Sequence, residues 1–269
     1  MKILITNDDG FQAAGLQILY ETLASAGHTV AVAAPDRERS GCGRSLTLRR
    51  PLFVARRELR HGGMGYIISG MPVDCVKLAV QGGLLPETPD IILSGINAGP
   101  NLGTDVFYSG TAGAALEGPL LGIPALALSV LRPGEENYTQ AAVFTRRLLD
   151  GFSSALLGRA RRDGNQAAPA AFNLNFPDAP WRGLRVTRLS TAVYSNDFEL
   201  RRSPSGEEYY WIKGELHTEN EPADTDWNAV RAGCISLTPI YNDVTDELTL
   251  AALAGQREAL ERAAGGSGT

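Results

Sequence analysis

Cysteine is scarce in this chain: Cys42, Cys75 and Cys234 are the three among 269 residues, widely spaced and with no CxxC pair. That excludes a disulfide framework and a thiolate zinc site, and it fits a reduced compartment. Histidine is as rare, and His28, His61 and His217 stand outside every polar cluster that follows an apolar run. Basic charge is not in excess either. Twenty-five Lys and Arg stand against 30 Asp and Glu, a formal net charge of -5, so no general field exists to attract a nucleic-acid polymer or an acidic membrane surface.

No apolar run approaches the roughly 20 residues of a membrane-spanning helix. The longest, Pro119 to Leu131, is interrupted by Gly122 and Pro124. The start, Met1 to Asp9, carries one positive charge and a short apolar run stopped by two acids, unlike a secretory signal. A cytoplasmic protein is the expectation. No GxGxxG follows the first apolar run and no Walker A motif occurs, which removes the two commonest glycine-rich phosphate cradles. No internal repeat is present.

With 43% hydrophobic and 20% charged residues, the composition is that of a globular chain able to bury a sizeable core. Ile3-Leu4-Ile5 reads as a buried strand, Gly15–Ala26 as an amphipathic helix and Thr29–Ala34 as a second strand, together a βαβ unit. Ile91–Ser94 and Pro124–Ser129 read as further central strands. Helices are expected after Thr111 and from Tyr138 to Leu157. Asp163–Pro169 reads as a polar hinge and Phe172–Phe176 as a shorter strand. Leu184–Thr187 and Tyr209–Ile212 read as the β-like arms of a projecting hairpin at about 181–211, with Ser203–Gly206 turning between them. Asp224-Thr225-Asp226 caps a brief helix, Ile235–Leu237 is a late strand, and a helix over Leu248–Ala264 precedes a Gly-Ser tail. The expectation is an α/β chain over 1–269, with a mostly parallel sheet in a Rossmann-like three-layer fold. Its core spans about 1–162; residues 163–269 add the remaining strands, the hairpin and a carboxyl-terminal helix.

Ligands of open parallel sheets bind beyond the carboxyl ends of the strands. Three polar clusters occupy such positions: Asn7-Asp8-Asp9-Gly10, Pro35 to Gly41, and Ser94-Gly95-Ile96-Asn97. If the strands before them are neighbours, the clusters converge. Adjacent carboxylates at a buried strand end need compensation, so Asp8-Asp9 is either a cation site or a solvated turn. Oxygen donors without His or Cys suit Mg²⁺ or Mn²⁺. Ser109, Gly110 and Thr111 stand at a helix start, where free N–H groups favour a phosphate oxygen, although Ser and Thr are also ordinary caps there.

Taken together, Met1 to Gly10, Ala34-Pro35-Asp36 with Ser40-Gly41, Ser94 to Gly103 and Asp105 to Thr111 resemble the survival protein E (SurE) family of nucleotidases. Gly70 to Asp74, Tyr209-Tyr210-Trp211 and Asp224-Thr225-Asp226 fall in the family's order as well. Met71 and Val73 replace the Thr and Ala of its pattern, and Ala112 replaces a Val. The resemblance implies a phosphatase acting on nucleoside monophosphates with one divalent ion, Mg²⁺ or Mn²⁺, per subunit. It places Asp8, Asp9, Ser40 and Asn97 at the metal. One of the two acids then assists an attacking water, and Gly41, Asn97, Ser109, Gly110 and Thr111 hold phosphate oxygens. 5'-Nucleotides are the implied substrates, with 3'-nucleotides and short polyphosphate as further candidates. The resemblance further implies a homodimer or homotetramer built through carboxyl-terminal elements, and Tyr194, Tyr209, Tyr210 and Trp211 read as interface residues rather than a base-stacking surface. A receiver-like module lacks its third-strand Asp and later Lys here, and a haloacid-dehalogenase-type phosphatase lacks its DxD spacing.

Overall fold

A computed structural model describes residues 1–151, 158–160, 167–195, 197–214, 216–217 and 221–263. The chain begins with β1 (Lys2–Thr6), α1 (Ala14–Ser25) and β2 (Thr29–Pro35). A β-ribbon follows, β3 (Val54–Glu58) and β4 (Met64–Ile68), and then α2 (Pro72–Gln81). Next come β5 (Ile91–Ala98), a short 3₁₀ turn (Gly103–Phe107), α3 (Gly110–Leu120), β6 (Ala125–Val130) and α4 (Glu135–Gly151). Beyond α4 lie β7 (Gly158–Ala160), β8 (Ala167–Pro169), β9 (Ala171–Phe176), β10 (Leu184–Val186) and β11 (Val193–Tyr194). The last elements are β12 (Asp197–Arg202), β13 (Glu208–Lys213), β14 (Leu216–His217), a helix Asp226–Arg231, β15 (Ile235–Ile240) and two helices, Glu247–Ala254 and Arg257–Ala263.

Nine strands form one sheet in the order β10-β15-β9-β6-β5-β1-β2-β4-β3. β4, β2, β1, β5, β6 and β9 run parallel. β15 pairs antiparallel with β9 and β3 antiparallel with β4. Side-chain alternation along β1 divides the core. Ile3 and Ile5 pack with Leu16, Leu19 and Leu23 of α1 and with α4, while Leu4 packs with Cys75 and Val76 of α2 and Ala114 and Ala115 of α3. Burial on both faces is why these strands read as unbroken apolar runs.

The sheet takes β9, β10 and β15 from the carboxyl-terminal part of the chain. The hairpin needs correction. Leu184–Val186 is not one of its arms but an edge strand parallel to β15; the ribbon is β12 with β13, running from Asp197 to Lys213 with its turn at Ser203–Gly206. Both segments carry short alternating patterns, and sequence alone gives no partner for either. Leu248–Ala263 is two helices, divided at Gly255. Ala167–Pro169 of the expected hinge pairs with Gly158–Ala160, whereas 163–166, the end of the expected α4 at 152–157 and the tail from 264 lie outside the described residues. The β3, β4 and α2 elements went unread: every residue of Val54–Glu58 is exposed, so no alternation marks it.

Candidate active site

Because β2, β1 and β5 are adjacent, their three strand-end clusters meet beside the first turn of α3. Between them lies a cleft of about 360 Å³ whose lining includes Asp8, Asp9, Ser40, Gly41, Asn97 and Ser109. Gly10 turns the chain away from the acid pair at φ 99°, and a Cβ there would stand 3.1 Å from the Arg37 backbone. Only glycine suits that left-handed bend.

Asp8 is 5% exposed. Thr111 donates its hydroxyl to Asp8 Oδ1 in a short bond, and the Asp8 carbonyl accepts the Arg39 N–H at 2.7 Å. Burial pushes the Asp8 carboxyl above its ordinary range, against the pull of Thr111 and of the backbone N–H groups of Thr111 and Gly110. Asp9 is more open to the cleft, and its Oδ2 accepts the Ala98 N–H at 3.1 Å. Burial, then the charge of Asp8, raise its carboxyl to about 6, with Glu38 adding to the repulsion. The acid pair is thus held by hydroxyl and N–H donors, and no Lys or Arg is among the residues lining the cleft.

Ser40 donates to Glu38 Oε1 at 2.5 Å. Asn97 gives its amide nitrogen to the Gly99 carbonyl at 2.8 Å, which leaves the side-chain oxygen as the atom available to a ligand. Ser109 caps α3 by accepting the Ala112 N–H at 3.0 Å. Gly110 is tightly packed: a Cβ there would lie 2.7 Å from Cys42 Sγ and 2.8 Å from Asp8 Oδ2. Burial pushes the Cys42 thiol up to about 11, so it stays protonated beside the acids.

All the sequence-derived site residues therefore reach one place, although Gly110 and Thr111 are turned onto Asp8 and not into open space. Sequence reasoning passed over Glu38, Asn101, Asp105 and Tyr108, which also line the cleft. Glu38 sat inside a marked cluster, two residues before Ser40. It also missed what holds the loop after β5. The Asn101 carbonyl accepts from Asn173 and Asn175 of β9 at 2.7 and 3.0 Å, and Asn101 donates to Ser129 of β6 at 2.8 Å. Fully buried Asp226 accepts the N–H groups of Gly103, Ser190 and Trp227 at 2.8–2.9 Å.

Among the described residues no three His, Cys, Asp or Glu side chains come together in metal-ligating positions. Even so, the donor set suits a hard cation. Two adjacent carboxylates lie at a cleft edge with raised affinity for positive charge, and Asn7 Oδ1, one residue before them, is buried without a hydrogen-bond partner. A cation here would draw on oxygen atoms of Asp8, Asp9, Ser40 and Asn97 and on water.

Fold and cleft together define a three-layer α/β protein with acids, not a glycine-rich dinucleotide loop, at the carboxyl ends of its central strands. Residues 3–196 match the family described as Survival protein SurE, and the chain belongs to that family. It is 47% identical over 253 residues to a protein named 5'-nucleotidase SurE from Desulfitobacterium hafniense, covering 93% of this chain and 94% of the relative. A second relative of that name, from Synechococcus elongatus, is 41% identical over 264 residues, covering 94% and 98%. The crystal structure of the SurE protein from Aquifex aeolicus superposes with a TM-score of 0.75 at 33% identity, covering 96% of this chain and all of that one.

Proposed function

We propose that this chain is a divalent-metal-dependent 5'-nucleotidase that hydrolyses nucleoside monophosphates to nucleoside and phosphate. The carrying observation is the Asp8-Asp9 pair at the end of β1, facing a cleft with Ser40, Asn97 and the start of α3 and with no Lys or Arg in its lining. The near full-length likeness to relatives named 5'-nucleotidase supports the substrate class.

A phosphate monoester dianion repels its nucleophile, so turnover needs positive charge at the phosphoryl oxygens and an oriented water. Asp8, Asp9, Ser40 and Asn97 would hold one Mg²⁺ or Mn²⁺ per subunit, which would supply that charge and lower the pKa of a water beside it. Asp8, clamped by Thr111 and the first turn of α3, is the rigid member of the pair. Asp9 keeps one oxygen on the Ala98 N–H and is the more open acid, so it receives the proton of the attacking water. Gly41, Asn97 and Ser109 line the cleft and contact the phosphate, while Gly110 and Thr111 act through their hold on Asp8.

No helix among the described residues is long and apolar enough to cross a membrane. All three cysteines are free, which supports a reduced, cytoplasmic setting. Self-association as a dimer or tetramer through the β12–β13 ribbon and the last helices is part of the same reading. The ribbon presents Phe198, Leu200, Tyr210 and Ile212 on one face, all exposed.

The test is phosphate release from a panel of nucleoside monophosphates by chelator-stripped protein, before and after Mn²⁺ or Mg²⁺. Release should return with metal, and Asp9→Asn should lower it by about 10³-fold with an unchanged circular dichroism spectrum. Folded protein that releases no phosphate with any metal would sink the proposal.

A further inference from the structure

Large apolar side chains left in water at the mouth of a polar cleft are a costly arrangement that a ligand with an apolar face would relieve. Tyr108 is such a side chain, 69% exposed where the 3₁₀ turn passes into α3, and Phe107 just before it in sequence is 65% exposed. Their backbone is not loose. The Asp105 carbonyl accepts the N–H groups of Tyr108 and Ser109 at 2.9 and 3.0 Å, and the Tyr108 carbonyl accepts the Gly43 N–H at 2.8 Å. At the other end of the turn, Gly103 donates to buried Asp226 at 2.9 Å. A fixed main chain carrying exposed rings is a preorganised surface, with little ordering left to be done on binding. Tyr108 also lines the same cleft as Asp8, Asp9, Asn97 and Ser109. By contrast, Tyr209, Tyr210 and Trp211 lie on the ribbon and are not part of the cleft lining.

We propose that Tyr108, with Phe107 beside it, is the stacking platform for the nucleobase, so that the nucleoside is recognised through an aromatic face. This rests on the nucleoside monophosphatase reading and adds where the base is held. The residue after Tyr108 is the α3 cap, so phosphate at the acid pair and base on the ring place a mononucleotide with phosphate inward and base at the rim. Every base has a π face, so such a platform tolerates all of them and favours the larger purines only modestly. What it excludes is indifference to the base: a phosphorylated sugar without one loses the contact.

The experiment compares kcat and KM for AMP, UMP and base-free ribose 5-phosphate in metal-loaded wild type, Tyr108→Ala, Tyr108→Phe and Phe107→Ala. Adenosine binding is followed by NMR in the same four proteins. Tyr108→Ala should cut the preference for AMP over ribose 5-phosphate roughly tenfold, mainly through KM. Tyr108→Phe should keep most of that preference, and adenosine should bind wild type and Tyr108→Phe but not Tyr108→Ala. An equal loss on both substrates, or adenosine binding untouched by Tyr108→Ala, overturns the proposal. Wild type that binds adenosine through Tyr108 yet cleaves no nucleotide would leave the platform standing and fault the assigned reaction instead.

Discussion

The acid cleft and the β12–β13 ribbon use their side chains in opposite ways. In the cleft, ionisable groups are drawn out of water: Asp8 is 5% exposed and its oxygens are engaged by Thr111 and the start of α3. In the ribbon, apolar groups are left in water, with Phe198 63% and Ile212 85% exposed on one face. Each arrangement is unfavourable in the isolated chain. The cleft's cost is electrostatic and, on the proposed function, would be relieved by a cation with its anionic substrate; the ribbon's cost is hydrophobic and, on the same proposal, would be relieved by protein surface. Incomplete solvation of opposite kinds thus separates the proposed place for chemistry from the proposed place for association.

The most damaging way to test this contrast is to disturb packing in the cleft without touching a charge. Gly110→Ala introduces a methyl that cannot fit between Cys42 Sγ and Asp8 Oδ2 without moving one of them. Displacing Asp8 by a fraction of an ångström costs orientation, and a loss of roughly a hundredfold in kcat/KM is expected, with about 1–3 kcal/mol of stability. Gly134→Ala is the control, since a methyl there meets nothing within 4 Å. Phosphate release and urea unfolding of the two variants decide the matter. Equal behaviour would mean that the close packing around Asp8 is not what sets its position.

A smaller effect separates the two kinds of cost by pH. The Asp9 carboxyl is raised from 3.8 to about 6, so the folded state holds its proton more tightly than the unfolded state. Between those values the unfolded chain binds fewer protons, and stability contributed by this group falls as pH rises, reaching its floor above about 6. Metal-free wild type should therefore lose several degrees of Tm relative to Asp9→Asn between pH 4.5 and 7. Added Mg²⁺ or Mn²⁺ should reverse the trend, stabilising wild type more at pH 7 than at pH 5, because the proton competes with the ion. Parallel melting curves for wild type and Asp9→Asn, with and without metal, would remove the strained acid pair from the account.

The cleft was far more legible in sequence than the ribbon, for a physical reason. Ile3-Leu4-Ile5 before Asn7-Asp8-Asp9, and Ile91–Leu93 before Ser94–Asn97, are unbroken apolar runs that signal central parallel strands. Their carboxyl ends then define a site without further knowledge. That Tyr108 lines the cleft was invisible because an aromatic next to a helix cap has no periodic signature. Asp226 was read only as part of a cap: its hold on the Gly103 turn spans 123 residues of sequence. One hairpin arm was misassigned, because Leu184–Val186 and Glu208–Lys213, three and six residues long, both read as short strands and strand partners are a tertiary property.

The mildest test concerns the ribbon itself. Cross-strand register places Phe198 opposite Ile212 and Leu200 opposite Tyr210 on one face, while Glu199, Arg201 and Lys213, linked by ion pairs, share the other with Tyr209 and Trp211. A lone two-stranded ribbon is marginal in water, so a partner that covers the apolar face would stabilise both. Replacing Phe198 and Ile212 together by Ser removes two exposed side chains, and folding stability of the isolated chain should change by less than about 0.5 kcal/mol each. Metal-dependent kcat should stay within twofold, because neither residue reaches the cleft. Mass measured by light scattering at micromolar concentration should fall from that of a dimer or tetramer to that of one chain. Glu199→Gln, on the opposite face, should leave that mass unaltered. If wild type is already monomeric, or if both variants assemble alike, the apolar face has another purpose and the contrast between cleft and ribbon loses its second half.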